Sequence, residues 1–265
     1  MNYTQAIFYL VLLCLLFNCD ELMGQKNDSS PSKDRFLGWA VKDPIDIAKA
    51  TDRQDLEALL VAGIGIVGIS AFDYRSSDYF RSTFGNNDFL GVVNELGNLN
   101  YVAPFSAALF GTSLLTDNHK FQDAAFTSLQ SVLYTKITVT IAKYAFARDR
   151  PEQNTDPYVF NFFERNATSF PSGHASNAFA LVVPWVVYYP NVLTYSMLAL
   201  PVGTALARVS KGRHWISDVS AGALIGAYWG YKLSRRHLNL AGAGNFHAVP
   251  IIHENGGGIS LTFSF

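Results

Sequence analysis

Three short clusters in this sequence hold side chains whose types and spacing suit a single kind of chemistry. In the first, Lys143 and Arg150 stand seven residues apart, just before Pro151. Seven residues are two helical turns, so on one continuous helix both cations project from the same face. Two cations near one point would hold a doubly charged phosphate, and arginine adds a bidentate fork. Taken alone, basic residues in the last turn of a helix are favourable without any ligand.

The second cluster is Ser169-Phe170-Pro171-Ser172-Gly173-His174-Ala175-Ser176. A proline and a glycine flank a hydroxyl, and an uncharged apolar run starts at once, the pattern of a loop turning into a helix. Ser172 is the expected N-cap, and Gly173 lets the backbone approach a ligand closely. Free N–H groups and the positive end of the helix dipole would then point at one spot, which suits an anion. His174 would stand beside that anion as a proton donor. A capped helix with a partly buried histidine is the plainer reading of the same residues.

The third cluster runs from Arg208 through His214 to Asp218. On a helix starting at His214, Asp218 lies one turn on. A carboxylate there can hold one imidazole nitrogen and leave the other nucleophilic, although an ordinary i,i+4 pair has the same spacing. Combined, the clusters supply three cations (Lys143, Arg150, Arg208), a hydroxyl, a glycine and two histidines. That is a phosphoryl-transfer set without a metal.

Elements of the right kind surround these residues. Helical periodicity predicts a long amphipathic helix from Lys120 to Arg148, stopped by Pro151. A polar, aromatic-bearing loop follows, from Arg150 to Thr168. The uncharged stretch from Ser176 to Ala207 reads as two helices joined near Pro190. A last helix from His214 to Arg236 carries Gly222, Gly226 and Gly230 at four-residue spacing, a stripe for close helix packing. Ahead of these, Ala58 to Phe72 is an apolar helix, as readily a buried core helix as a spanning one. Asp73 to Asn87 reads as a loop with a helical piece, and Leu96 to Thr116 as an uncharged apolar segment. Phe246 to Ile252 and Ile259 to Phe265 read as strands around a turn holding three glycines.

Composition narrows the class. Hydrophobic residues make up 49% of the 265 and charged ones 15%, so much of the chain is buried in protein or lipid. A net charge of −1 and the lack of a basic stripe give no reason to expect nucleic acid. Ala6 to Phe17 has the length of a signal-peptide core, so 1–24 is expected to be a signal peptide or an anchor. Both cysteines, Cys14 and Cys19, fall in that leader; Cys19 as a lipid-attachment site is the alternative. The expected organisation continues with a polar linker and lead-in over 25–52, a helical domain over 53–240, and a hairpin tail over 241–265. His119, His237, His247 and His253 have no spacing partner and read as loop or cap residues. Arg148 and Arg213 would at most widen a positive rim. Asp149, Glu152, Asp156 and Glu164 read as a solvated loop face. Tyr158, Phe160, Phe162 and Phe163 would form a lip for a lipid tail or merely pack the loop.

In this order the clusters resemble the three-part signature of the type 2 phosphatidic acid phosphatase superfamily, which includes bacterial class A acid phosphatases and vanadium haloperoxidases. The resemblance covers roughly Lys120 to Arg236 and rests on Lys143, Arg150 and Pro151, on Pro171 through His174, and on Arg208, His214 and Asp218. Ala207 departs from it, since the family commonly has serine before the arginine. The resemblance implies an all-α bundle, here with a short C-terminal β-hairpin, acting as a metal-independent phosphatase. His214 would be the nucleophile, Asp218 its orienting carboxylate and His174 the acid and then the base. Lys143, Arg150, Ser172, Gly173 and Arg208 would bind phosphate. No cofactor is implied, although vanadate would fit as a phosphate mimic. The expected substrate is a phosphorylated lipid, at a periplasm-facing membrane of the cell envelope. A soluble acid phosphatase acting on small phosphomonoesters, a haloperoxidase and a non-enzymatic envelope protein are the alternatives.

Overall fold

The computed structural model describes residues 33–153, 156–164, 168–239, 246–253 and 256–263, with side chains as far as 239. The expected leader, Cys14 and Cys19 lie outside these residues. The fold is a helical bundle. Its elements are α1 (Asp34–Ala50), α2 (Arg53–Ser70), α3 (Asp73–Phe84), α4 (Asp88–Glu95), α5 (Leu99–Ser113), α6 (His119–Phe146), α7 (Gly173–Tyr188), α8 (Val192–Ser196), α9 (Ala199–Ser210) and α10 (Ile216–His237).

α7 is the hub, packed by α10, α6, α9 and α5. It has no charged residue, and its buried side chains lie all round it, as a central helix requires. At one end Phe105, Leu109, Phe121, Trp185 and Tyr188 form the main core cluster, between α5, α6 and α7. Along the α7–α10 seam the backbones nearly touch. A Cβ on Gly222 would stand 2.4 Å from the Ser172 carbonyl oxygen, and one on Gly226 2.2 Å from that of Ser176. Only glycine allows that approach, so the stripe packs helices, as its spacing predicts.

Several boundaries differ from the sequence reading. The lead-in is not a linker over its whole length: α1 occupies most of it and buries Phe36, Asp43 and Ile47. The helical piece expected within Asp73 to Asn87 takes up most of it, as α3. α2 buries no residue at all, so it is not a core helix. The stretch after Ser176 forms three helices, because the Asn191–Thr194 capping box starts a separate short α8. α6 ends at Phe146, before Pro151 is reached, since Ala147 takes left-handed backbone (φ 40°) and closes the helix.

At the C-terminus β1 (Phe246–His253) and β2 (Gly256–Phe263) pair antiparallel, with His253 opposite Gly256. The glycines expected in a turn therefore lie in β2.

Candidate active site

The three clusters meet at one end of the bundle, each delivered by a different helix terminus. Lys143 comes from the last turn of α6. Arg150 is not on that helix, contrary to the two-turn spacing argument, because the chain turns away at Ala147. The pair is assembled by a shared anchor instead: Lys143 Nζ donates to the Thr168 carbonyl, and Arg150 Nη2 to Thr168 Oγ1 at 3.2 Å. Arg150 also lies 3.5 Å from Glu152.

Thr168 leads directly into the second cluster. Ser172 is the N-cap of α7, its hydroxyl accepting from the Ala175 N–H at 3.5 Å. Gly173 faces Lys143, where a Cβ would lie 3.9 Å from Cε. His174 sits in the first turn, and its backbone is pressed against Gly97. Burial, then the nearby Arg208, pushes its imidazole down to about 4.

The third cluster spans α9, a turn and α10. Arg208, near the end of α9, is held by Asn94 of α4, Nη1 to Oδ1 at 3.0 Å, while its Nε is buried without a partner among the described residues. His214 lies in the turn, two residues before α10 begins, so the helix starts later than the sequence suggested. Asp218 is still well placed. Its Oδ2 accepts from the Trp215 N–H at 2.9 Å and stands 3.6 Å from His214 Nδ1. That gap is beyond a hydrogen bond, but Nδ1 is buried and has no other partner. Complete burial drives the His214 imidazole down to about 3, with Asp218 opposing. The ring is therefore neutral at physiological pH. The Ser172 N–H donates to the Asp218 carbonyl at 2.9 Å, which locks the second cluster to the third.

Arg148 is the residue that sequence reasoning missed. It is 2% exposed, not on a rim. Its Nη1 donates to Asp218 Oδ1 at 2.7 Å and its Nη2 to Asp73 Oδ2 at 2.7 Å. Ser169 Oγ donates to the other Asp218 oxygen. Arg213 does lie on the surface, paired with Glu152 at 2.8 Å. Beside the site, Tyr74, Ser77, Asp78, Arg81, Pro151 and Trp215 line a polar cleft of ≈ 470 Å³.

Electrostatically the site is overloaded with cations. Burial pushes Lys143 down to about 7; the charge of Asp218 opposes this, while Arg150 and Arg208 add to it. A buried donor without a partner, here Arg208 Nε, calls for an explanation, and an anion among Lys143, Arg150 and Arg208 would supply one.

Residues 124–240 match the family model of the PAP2 superfamily. That segment is similar to PAP2 sequence. It contains every residue of the three clusters. Over 103 residues the chain is 29% identical to a lipid A 1-phosphatase of Rhizobium johnstonii, covering 37% of this chain and 42% of that relative. It is 34% identical over 100 residues to a lipid A 1-phosphatase of Porphyromonas gingivalis, covering 34% of this chain and 20% of the relative. The chain thus spans less than half the length of these curated relatives. A transmembrane PAP2-type phosphatidylglycerolphosphate phosphatase from Bacillus subtilis has a similar structure, with TM-score 0.55 and 18% identity, over 68% of this chain and 96% of that one. This likeness shows the PAP2 helical fold and lends no support to the C-terminal hairpin.

Proposed function

We propose that the chain is a phosphatase that cleaves lipid phosphomonoesters through a phosphohistidine at a membrane of the cell envelope. The observation that carries this reading is the gathering of Lys143, Arg150 and Arg208 around the start of α7, with the buried Arg208 Nε left unpartnered among the described residues, an arrangement that a bound phosphate relieves. Lys143, Arg150 and Arg208, with Ser172 and the Gly173 N–H, hold the non-bridging oxygens as charge builds on them. His214 Nδ1 faces Asp218, so the other ring nitrogen, Nε2, attacks phosphorus. The N–P bond forms as the ester P–O bond breaks, and His174, taken up as imidazolium beside the bound anion, gives its proton to the leaving oxygen. Water then attacks phosphorus, its proton passing to His174 as the N–P bond breaks. This chemistry needs no metal, because three cations carry the phosphate charge.

The lipid part of the reading has separate support. Leu56, Leu60, Ile64 and Val67 on α2, and Ile137 and Ile141 on α6, are large apolar side chains left exposed. Tyr144, Tyr158, Phe162 and Phe163 stand exposed near the catalytic end, where aromatic residues suit a membrane interface. The Val192–Ser210 stretch is long and apolar enough to cross a membrane by length and composition. We place the polar head group in the cleft beside Trp215, and the site on the exported face.

The deciding experiment is phosphate release by detergent-purified protein without added metal, from phosphatidic acid, phosphatidylglycerol phosphate, lipid A and p-nitrophenyl phosphate. Lipid phosphates should be preferred, vanadate should compete with them, and H214A should release phosphate at background rate. Substantial activity in H214A would sink the mechanism. Equal use of all four, from protein that needs no detergent, would favour a soluble acid phosphatase.

A further inference from the structure

Asp73 opens α3, far in sequence from the three clusters, yet its side chain is completely buried. It accepts from the Ser217 N–H at 2.9 Å and from the Ser217 hydroxyl at 2.6 Å. Its remaining partner is Arg148, whose guanidinium bridges it to Asp218. The guanidinium also donates through Nε to the Pro157 carbonyl at 2.8 Å, and through Nη1 to Ser217 Oγ at 2.8 Å. Asp73, Arg148 and Asp218 are each 2% exposed or less, so the chain Asp73–Arg148–Asp218–His214 runs through dry protein.

The charges in this chain have a consequence for His214. Its ring gains positive charge as Nε2 attacks phosphorus, and Asp218 is the anion that offsets it. Arg148 on its own would hold Asp218 in place while cancelling most of its field. Burial pushes the Asp73 carboxyl up, and the bonds from Ser217 and Arg148 work against that; with both carboxylates ionised around one guanidinium the group has a net negative charge. That charge sits beside the imidazole in a low-dielectric site, where it acts at greatest strength. A purely structural bridge would be an expensive choice, since desolvating buried ions costs about as much as their attraction returns. Asp73 also fixes the second residue of α10 through the Ser217 N–H, and so helps aim the helix that carries Asp218.

We infer that Asp73 is a positioning residue for the reaction: acting through Arg148, it keeps the negative charge of Asp218 available to the attacking imidazole. This rests on His214 being the nucleophile.

The test compares D73N, R148M, the double variant D73N/R148M and H214A, by kcat and KM on p-nitrophenyl phosphate and by melting temperature. D73N should lower kcat about 10- to 100-fold with KM changed less than about twofold, less than the roughly 10²- to 10³-fold lost with a direct transition-state contact because Asp73 acts through Arg148. The double variant removes the cancelling cation as well, so its kcat should exceed that of D73N. A residue that only holds the fold together would make the double variant no better than the worse single one. Unchanged kcat in D73N, or a double variant slower than both singles, overturns the inference. If D73N does not fold, the double variant decides alone, because it leaves no uncompensated arginine: activity as low as H214A counts against the inference. Activity in H214A overturns the inference together with the mechanism, whereas a dead H214A beside a normal D73N removes the inference alone.

Discussion

Lys143 is the residue through which a titration would see the site most directly. Its ammonium is charged below its pKa, which burial has lowered to about 7. Hold on the phosphate is thus present at acid pH and lost as pH rises through about 7. His214 titrates well below that, so its ring is neutral and nucleophilic over the same window, whereas His174, held down by burial and by Arg208, regains its proton when the phosphate anion lies beside it. With p-nitrophenyl phosphate, which needs no proton from His174, the kcat/KM profile, which reports the free enzyme, should therefore fall above about pH 7. K143R carries a charge that does not titrate there, and its alkaline limb should shift upward by more than one pH unit. Superimposable limbs would exclude Lys143 as their source. H174A should cost about 10²- to 10⁴-fold with lipid phosphates, the usual range for a general acid, and much less with p-nitrophenyl phosphate, whose leaving group departs without a proton. All eight residues singled out from the sequence lie at one end of the bundle. Arg148 was not legible because its partners are 70 and 75 residues away in sequence. Within its own segment it looks like one more cation on a rim.

At the scale of elements, the glycine stripe of α10 was readable because four-residue spacing has one simple physical meaning, and α7 supplies the matching surface. The ends of α6 and α10 were not readable, since they depend on one left-handed alanine and on Trp215 serving as N-cap. These seams make unequal predictions for identical substitutions. G226A puts a methyl 2.2 Å from the Ser176 carbonyl oxygen and should destabilise the fold by about 1–3 kcal/mol. G222A presses on the Ser172 carbonyl oxygen, at the start of the phosphate-binding turn, so it should lower kcat as well as stability. G68A, on exposed α2, meets nothing within 4 Å and should stabilise by about 0.5–1 kcal/mol. Melting curves in one detergent, read beside turnover, check all three; equal effects at the three sites would contradict the seam geometry.

For the whole molecule, the largest change from the sequence reading concerns α1 and His237. With no partner at helical spacing, His237 had nothing to mark it; its partners arrive from the other end of the chain. Its Nε2 lies 2.8 Å from Asp43 Oδ2, its Nδ1 2.7 Å from Thr127 Oγ1, and Trp39 stacks on its ring at 3.8 Å. Arg236 adds a 2.7 Å contact to the other Asp43 oxygen, and Gln130 donates to Asp43 at 2.8 Å. This cluster pins α1 to α6 and α10, so α1 belongs to the folded unit. Although burial raises the Asp43 carboxyl, the bonds from His237 and Arg236 outweigh that and hold it below the ordinary carboxylate value. A lowered carboxyl contributes stability above its unfolded pKa, near 4, and loses it as pH falls through the folded value. Protein with Asp43 should lose this contribution on acidification below about pH 4, and D43A should lack it at every pH. Leaving the buried His237 without its carboxylate should cost D43A about 3–5 kcal/mol, while Arg236 keeps its pairing with Asp46. The cluster lies at the far end of α10 from Asp218, about 30 Å away at 1.5 Å per residue. Turnover per folded molecule should therefore match the parent at a temperature where both are folded. A D43A protein that melts normally would show that α1 is not held by this cluster. One that is stable yet slow would tie the cluster to the chemistry at the other end of the bundle.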